Sequence, residues 1–208
     1  MKSYKQFIKE SKNSIESICK EYGITNYTIN EDGSIDVDGD VDLNNCFLEK
    51  IPLKFRNVTG HFNCSHNNLI SLEGCPISVG YNFFCKYSKL TSLEGCPKNV
   101  GGNFYCGYNQ LTSLEGCPES SDILHCVFNK ITDFKGISEF FEGDLMCHEN
   151  PIFEIYGLFR QNFNCIKWIN EFDVIRGNKV VMDLLEEVFH QLNLEIPENI
   201  EFKNYEII

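Results

Sequence analysis

From residue 41 to about residue 160 the apolar positions of the chain recur with a period of 21. Leu72, Leu93 and Leu114 fall in step, as do Cys75, Cys96 and Cys117, inside the near-identical stretches LISLEGCP (69–76), LTSLEGCP (90–97) and LTSLEGCP (111–118). Phe62, Phe83, Phe104, Leu124 and Leu145 open successive turns, each followed two residues later by Cys64, Cys85, Cys106, Cys126 or Cys147. Five residues after each opening stands Asn67, Ser88, Asn109, Asn129 or Asn150, and then Leu69, Leu90, Leu111, Ile131 or Ile152. Val41, Leu43, Cys46, Leu48 and Ile51 make an earlier, degenerate turn in the same register, which brings the expectation to six turns. Self-similarity at this period predicts a solenoid, in which each repeat buries its apolar face only by stacking on its neighbours. The alternating pair, such as Phe62 and Cys64, reads as a short strand with both side chains inward, paired in parallel with the next turn about 4.8 Å away. The asparagine can satisfy backbone groups where the chain turns. Gly74, Gly95, Gly116, Gly136 and Gly157 recur at a tight return, and proline follows two residues later in three turns.

The flanks keep different periods. In residues 3–22, Tyr4, Phe7, Ile8, Ile15, Ile18, Cys19 and Tyr22 recur at helical spacing and Gly23 follows as a stop. Ile29 and Ile35 bracket Asp32-Gly33, a hairpin signal. After Phe159 the 21-residue period ends. Residues 162–172 and 178–193 read as helices carrying Phe163, Ile166, Trp168, Ile169, Val181, Leu184, Leu185, Val188 and Leu192 on inward faces; Pro197 ends this part and IEFKNYEII reads as a closing strand. The predicted organisation is therefore an N-terminal cap helix (1–24), a hairpin (25–40), the solenoid (41–160) and a C-terminal helical cap (161–208).

The repeat wording, apolar-x-Cys-x-x-Asn-x-Leu, resembles the leucine-rich repeat family over residues 41 to 160. Ser88 breaks the asparagine ladder, and Cys46 takes that place in the first turn, where the family tolerates cysteine. The resemblance implies an α/β fold: a leucine-rich repeat solenoid of about six 21-residue turns with a parallel sheet on a concave face used for binding.

Composition narrows the function. The formal charge is −12, which repels nucleic-acid phosphates over most of the surface and disfavours nucleic acid as a partner. No apolar run approaches the roughly 20 residues that span a bilayer, and MKSYKQFIKESKNSIES lacks the apolar core of a secretory signal. A soluble, cytoplasmic protein is the expectation. Eleven cysteines invite a zinc or disulfide reading. Zinc ligands usually come in close pairs, which are absent, and the place of Cys75, Cys96 and Cys117 is taken by Ile137 and Leu158 in later turns. A position that accepts Cys, Ile and Leu is an apolar core position, so the thiols are read as reduced packing residues. Cys19 and Cys165 lie outside the ladder and read as packed cap residues. No catalytic constellation, metal motif or cofactor loop emerges, and an enzyme is the least favoured alternative.

With the inward residues fixed, alternation assigns the outward ones. The strand face then carries His61, Asn63, Ser65 and His66; Asn82, Phe84, Lys86 and Tyr87; Asn103, Tyr105, Gly107 and Tyr108; Ile123, His125, Val127 and Phe128; and Asp144, Met146, His148 and Glu149. Aromatics fall in columns. Phe84, Lys86, Tyr87, Tyr105, Tyr108, His125, Phe128 and His148 are the candidate partner-binding residues, because exposed aromatics make protein hot spots. The same rings also serve the ladder by stacking on one another. Glu73, Glu94 and Glu115 form an acidic edge column interrupted by Lys135, read as a solvated edge, with a basic partner or a cation as the alternative. EDGSIDVDGDVD (31–42) clusters five aspartates but fails the calcium-loop pattern: Val41 stands where glycine is required.

The chain as a whole, with its repeat wording, its Asp-Gly hairpin and a tail reading NEFDVIRGNK, resembles leucine-rich repeat proteins of large tailed bacteriophages. MKSYKQFIKE is similar to the N-terminal capsid-targeting sequences of T4-like phages, which are cut after a glutamate; Glu10 would be the processing site, although Lys9 departs from the small or polar residue usual before it. The resemblance implies a protein-binding module that acts on a host or phage protein in the host cytoplasm, in one version against a host defence system. The alternative is an internal virion component delivered with the genome. Partner identity and oligomeric state stay open.

Overall fold

The computed structural model describes residues 4–137, 141, 143–159 and 162–208, with backbone alone for residues 4–12. Its centre is a β-solenoid. Six two- or three-residue strands, β3 (Val41–Asp42), β5 (Phe62–Asn63), β7 (Phe83–Phe84), β9 (Phe104–Tyr105), β10 (Ile123–His125) and β11 (Asp144–Met146), form one parallel sheet in chain order. The register Val41, Phe62, Phe83, Phe104, Leu124, Leu145 is the predicted one. Six strands bound five full coils. The sixth turn does not close: α2 (Phe153–Leu158) replaces its return, so Gly157 lies inside a helix instead of at a bend. By contrast Gly74, Gly95, Gly116 and Gly136 take positive φ between 84° and 96°. A Cβ at Gly136 would come within 2.3 Å of the backbone of the coil before, so both conformation and space require glycine there.

A second sheet, unforeseen from the repeat, runs along the opposite wall of the coil. After β1 (Tyr27–Ile29), β2 (Ile35–Val37) pairs with it antiparallel across the Asp32-Gly33 turn and then continues in parallel with β4 (Phe55–Val58), β6 (Ser78–Val79) and β8 (Asn99–Val100). Each coil therefore has two strand walls joined by the Asn-x-Leu corner and the SLEGCP return.

The core follows the periodic positions. Phe62, Phe83 and Phe104 are fully buried and stack face to face, with centroids 5.5 and 5.3 Å apart. Cys64, Cys85, Cys106, Cys126 and Cys147 form a second buried column, and Leu69, Leu90, Leu111, Ile131 and Ile152 a third. All eleven cysteines are free thiols. Burial pushes Cys85, Cys106 and Cys126 well up and Cys147 to about 12, so they stay protonated and lack the thiolate that attacks or ligates. The return cysteines differ from expectation: Cys75 is buried, whereas Cys96 and Cys117 are half-buried at the surface of the bend, their Sγ donating to the carbonyls of Gly116 and Gly136.

The asparagines tie coil to coil. Asn109 Nδ2 donates to the Cys85 and Cys106 carbonyls and its Oδ1 accepts from Leu90 N–H; Asn67, Asn129 and Asn150 repeat the pattern. Ser88 is too short to do so, and its buried hydroxyl has no partner. Ser88→Asn should restore the ladder and add about 1–2 kcal/mol, since each net hydrogen bond contributes roughly 1 kcal/mol. A calorimetric Tm raised by about 4 °C is expected, and an unchanged or lower Tm would refute it.

The ends pack onto the same core. α1 (Tyr4–Glu21) contributes Cys19 and rests Ile15, Ile18 and Tyr22 against it. It closes at Gly23, with Gly23 N–H donating to Lys20 and Ile24 N–H to Cys19. α3 (Asn164–Glu171) and α4 (Met182–Gln191) end with the same pair of bonds, with Asp173 and Asn193 in the left-handed position. Between them β12 (Ile175–Arg176) and β13 (Lys179–Val180) form a hairpin, so α4 starts later than the 178–193 expected from the sequence. β14 (Glu206–Ile207) pairs in parallel with β13, and the Tyr205 hydroxyl donates to Thr132 of the solenoid.

Candidate functional site

The outer face of the six-stranded sheet is built by the repeat. Two residues past each buried cysteine, or past Leu43 in the first coil, the chain turns through the left-handed region: Asn45, His66, Tyr87, Tyr108, Phe128 and Glu149 all have φ between 53° and 58°. The bend belongs to the coil, since five different residue types share it at six positions. Their choice does not. Asparagine, present in the first coil, takes this conformation most cheaply, while for a bulky side chain it is an outlier. Here Tyr87, Tyr108 and Phe128 take it, 41%, 37% and 41% exposed, stacked at 4.2 and 4.5 Å with His66 below at 4.4 Å. Such strain costs on the order of 1–3 kcal/mol per residue, whereas an aromatic pair returns about 0.5–1.5. Stacking therefore offsets part of the strain that these rings carry at the bend.

A second column, half-buried, stands on the strands. Phe84 stacks on Tyr105 at 4.8 Å, and Tyr105 meets His125 at 5.4 Å. Lys86 extends over both rings, its Nζ 5.9 Å from the Phe84 centroid and 5.2 Å from that of Tyr105. His148 sits at the C-terminal end, edge-on to Phe128 at 5.9 Å. All eight candidate partner-binding residues thus share one face, in two columns, with Lys86 lying over the Phe84 and Tyr105 rings of the second. Glu10 lies in the α1 backbone, and its side chain is outside the described residues.

Simple alternation fails between the two columns. Ser65, Gly107 and Val127, expected outward, are buried, because small groups between two rows of rings lie below them. Ser65 Oγ instead accepts from Lys86 N–H.

One ladder escaped the sequence reading. Asp40 Oδ1 accepts from His61 N–H, His61 Nδ1 from Asn82 N–H, and Asn82 Oδ1 from Asn103 N–H, one coil apart each time. Asp, His and Asn do not look like a repeat, but each supplies an acceptor at the same height. The signal was present as a polar residue one position before each strand. The aspartates of 31–42 are held the same way: Asp32 by Lys54 and Ser34, Asp36 by Arg56, Asn57 and Asn30, and Asp38 by Thr59. Arg56 beside it holds the Asp36 carboxyl at about 2. Among the described residues, no three His, Cys, Asp or Glu side chains converge on one point, and no helix is long and apolar enough to cross a membrane.

His125 is a titratable group of the face. Its Nδ1 is buried without a partner, and burial, then the positive charges of Lys86 and His148, lowers its pKa from the ordinary 6.5. A base whose pKa falls on folding binds its proton better in the unfolded chain. Stability should therefore be level above about pH 7 and decline as pH falls below about 6.5. The Asp36 carboxyl, lowered on folding, contributes stability that is lost as pH falls from about 4 towards 2. Urea titrations at pH 7.5 and 5.5 should show a larger loss for the wild type than for His125→Tyr; equal losses would refute the assignment.

Comparison with protein-family models, with curated proteins and with solved structures finds no match for this chain.

Proposed function

We propose that the protein is a leucine-rich repeat-type protein-binding module, with its helical ends capping the solenoid and the outer face of the six-stranded sheet as its binding surface. The observation that carries this reading is the exposed column Tyr87, Tyr108 and Phe128, held at a backbone conformation that disfavours such side chains. Tyrosine and phenylalanine exposed on a rigid ladder supply contact area at little entropic cost, which is the property of hot-spot residues. The asparagine ladder supports the repeat assignment. What supports a phage origin, and with it a host or phage protein as partner in the host cytoplasm, is the resemblance of the repeat wording and of the first ten residues.

The test is capture from host lysate followed by a measured affinity for the protein retained. Tyr87→Ala with Tyr108→Ala should weaken binding by about 30-fold or more, the equivalent of one hot spot of roughly 2 kcal/mol. The double substitution also removes ring stacking, so circular dichroism at the assay temperature should confirm that the variant remains folded. Binding unaltered by the double substitution would remove this face from the function.

A further inference from the structure

We infer that this face recognises an acidic polypeptide segment, whose carboxylates meet Lys86, Lys89 and Lys130 while its apolar side chains lie along the Tyr87, Tyr108 and Phe128 column. This deepens the binding reading above and rests on it. The chain has 30 acidic residues against 18 Lys and Arg. Yet the four rungs 61–69, 82–90, 103–111 and 123–131 contain no Asp or Glu, where the mean acidic content of the chain would place about five. They contain Lys86, Lys89, Lys130, His61, His66 and His125 instead. Carboxylates reappear at the rim, as Asp40 and Asp42 at the first strand, Asp122 beside Gly102, and Asp144 and Glu149 on the last rung. Elsewhere, Asp32 at the hairpin turn and Asp36 on the opposite sheet are paired with Lys54 and Arg56, whereas Glu73, Glu94 and Glu115 form an exposed column on the return. Charge is thus segregated around the coil, and the aromatic face is the local cationic strip of an acidic protein.

The rings decide which anion fits. Tyr87, Tyr108 and Phe128 stack on each other, so their faces are occupied and their edges point out. Ring edges carry the positive side of the quadrupole, which suits a carboxylate and not a cation. Buried faces also remove the platform on which a nucleobase would stack. Lys86, held over Phe84 and Tyr105, is fixed at the centre of the strip; Lys89 and Lys130 stand exposed just past the left-handed bend.

A random peptide library of about 12 residues, selected against the full chain, tests this. Fluorescence anisotropy then gives affinities for the enriched peptides and for an oligothymidylate of similar length. Enriched peptides should be net negative and carry an aromatic or aliphatic anchor. Their affinity should fall as salt rises and drop about tenfold or more in Lys86→Glu with Lys130→Glu, the oligothymidylate remaining unbound. Neutral or basic peptides, an affinity unmoved by the charge reversal, or preference for the oligothymidylate would overturn the inference. So would dimerisation of the chain through this face, which assigns it to a second copy. If the peptides are neutral or basic yet lose binding in Tyr87→Ala with Tyr108→Ala, the face still binds protein and only the acidic partner is wrong. Peptides indifferent to the tyrosine pair, or no enrichment at all, would remove both readings.

Discussion

Phe83→Ala should cost about 4 kcal/mol, the largest stability loss expected of a single truncation in the solenoid. Phe83 is fully buried at the middle of the phenylalanine column, 5.5 Å from Phe62 and 5.3 Å from Phe104, nearly parallel to both. Truncation removes the transfer energy of one benzyl group and opens a cavity between two rings that are themselves fixed by their own strands. The backbone cannot close that cavity, because the coils above and below are hydrogen-bonded at fixed spacing through Cys85 N–H to Tyr105 and Cys64 N–H to Phe84. Urea unfolding checks the value. A second readout distinguishes loss of packing from loss of continuity: solenoid stability passes from neighbour to neighbour, so a broken middle coil should also lower the slope of the transition as the two halves uncouple. A cost below about 1.5 kcal/mol would mean that the column is not the core of the coil stack.

Asn129→Ala comes next, at about 3 kcal/mol. One buried amide serves two coils: Nδ2 donates to the Cys106 and Cys126 carbonyls at 3.1 and 2.9 Å, and Oδ1 accepts from Leu111 N–H at 3.0 Å. Alanine fills less space and leaves these backbone groups buried without partners, at roughly 1–3 kcal/mol for each that water does not reach. Asn129→Ser should be milder, since the chain already lives with Ser88 at the equivalent corner. Matching losses for alanine and serine, or a loss below about 1 kcal/mol, would show that the amide bonds are not what holds the corner.

These two residues also mark how far the sequence could be read. Phe83 and Asn129 repeat as themselves, so periodicity placed both correctly, as it placed the register from Val41 to Leu145. The second sheet was not legible. Its strands are two to four residues long, β6 and β8 each bury one valine, Val79 or Val100, and a parallel pair declares itself only when the coil is already wound. The Asp40, His61, Asn82 ladder was hidden because chemistry repeats there and residue type does not. On the binding face, alternation placed Phe84, Tyr105 and His125 but misplaced Ser65, Gly107 and Val127. Alternation belongs to extended backbone, and the strands end after two or three residues, before the chain enters the left-handed bend. The last turn was read one coil too far, since Ile152, Ile155 and Leu158 satisfy a helix as well as they satisfy a repeat.

The left-handed bend has a consequence for how the molecule can change. Asn, His, Tyr, Tyr, Phe and Glu share a left-handed φ at positions 45, 66, 87, 108, 128 and 149, while the amides of Asn67, Asn109, Asn129 and Asn150 keep four of the corners closed. The corner therefore keeps its backbone shape whichever side chain occupies it, at an energy that depends on the occupant. Six sites spaced by one strand separation make a strip roughly 24 Å long on which side chains can be rewritten one at a time, like letters on a fixed line. New specificity, whether acquired naturally or by design, then requires substitutions on that line alone, with the text that builds the line left untouched.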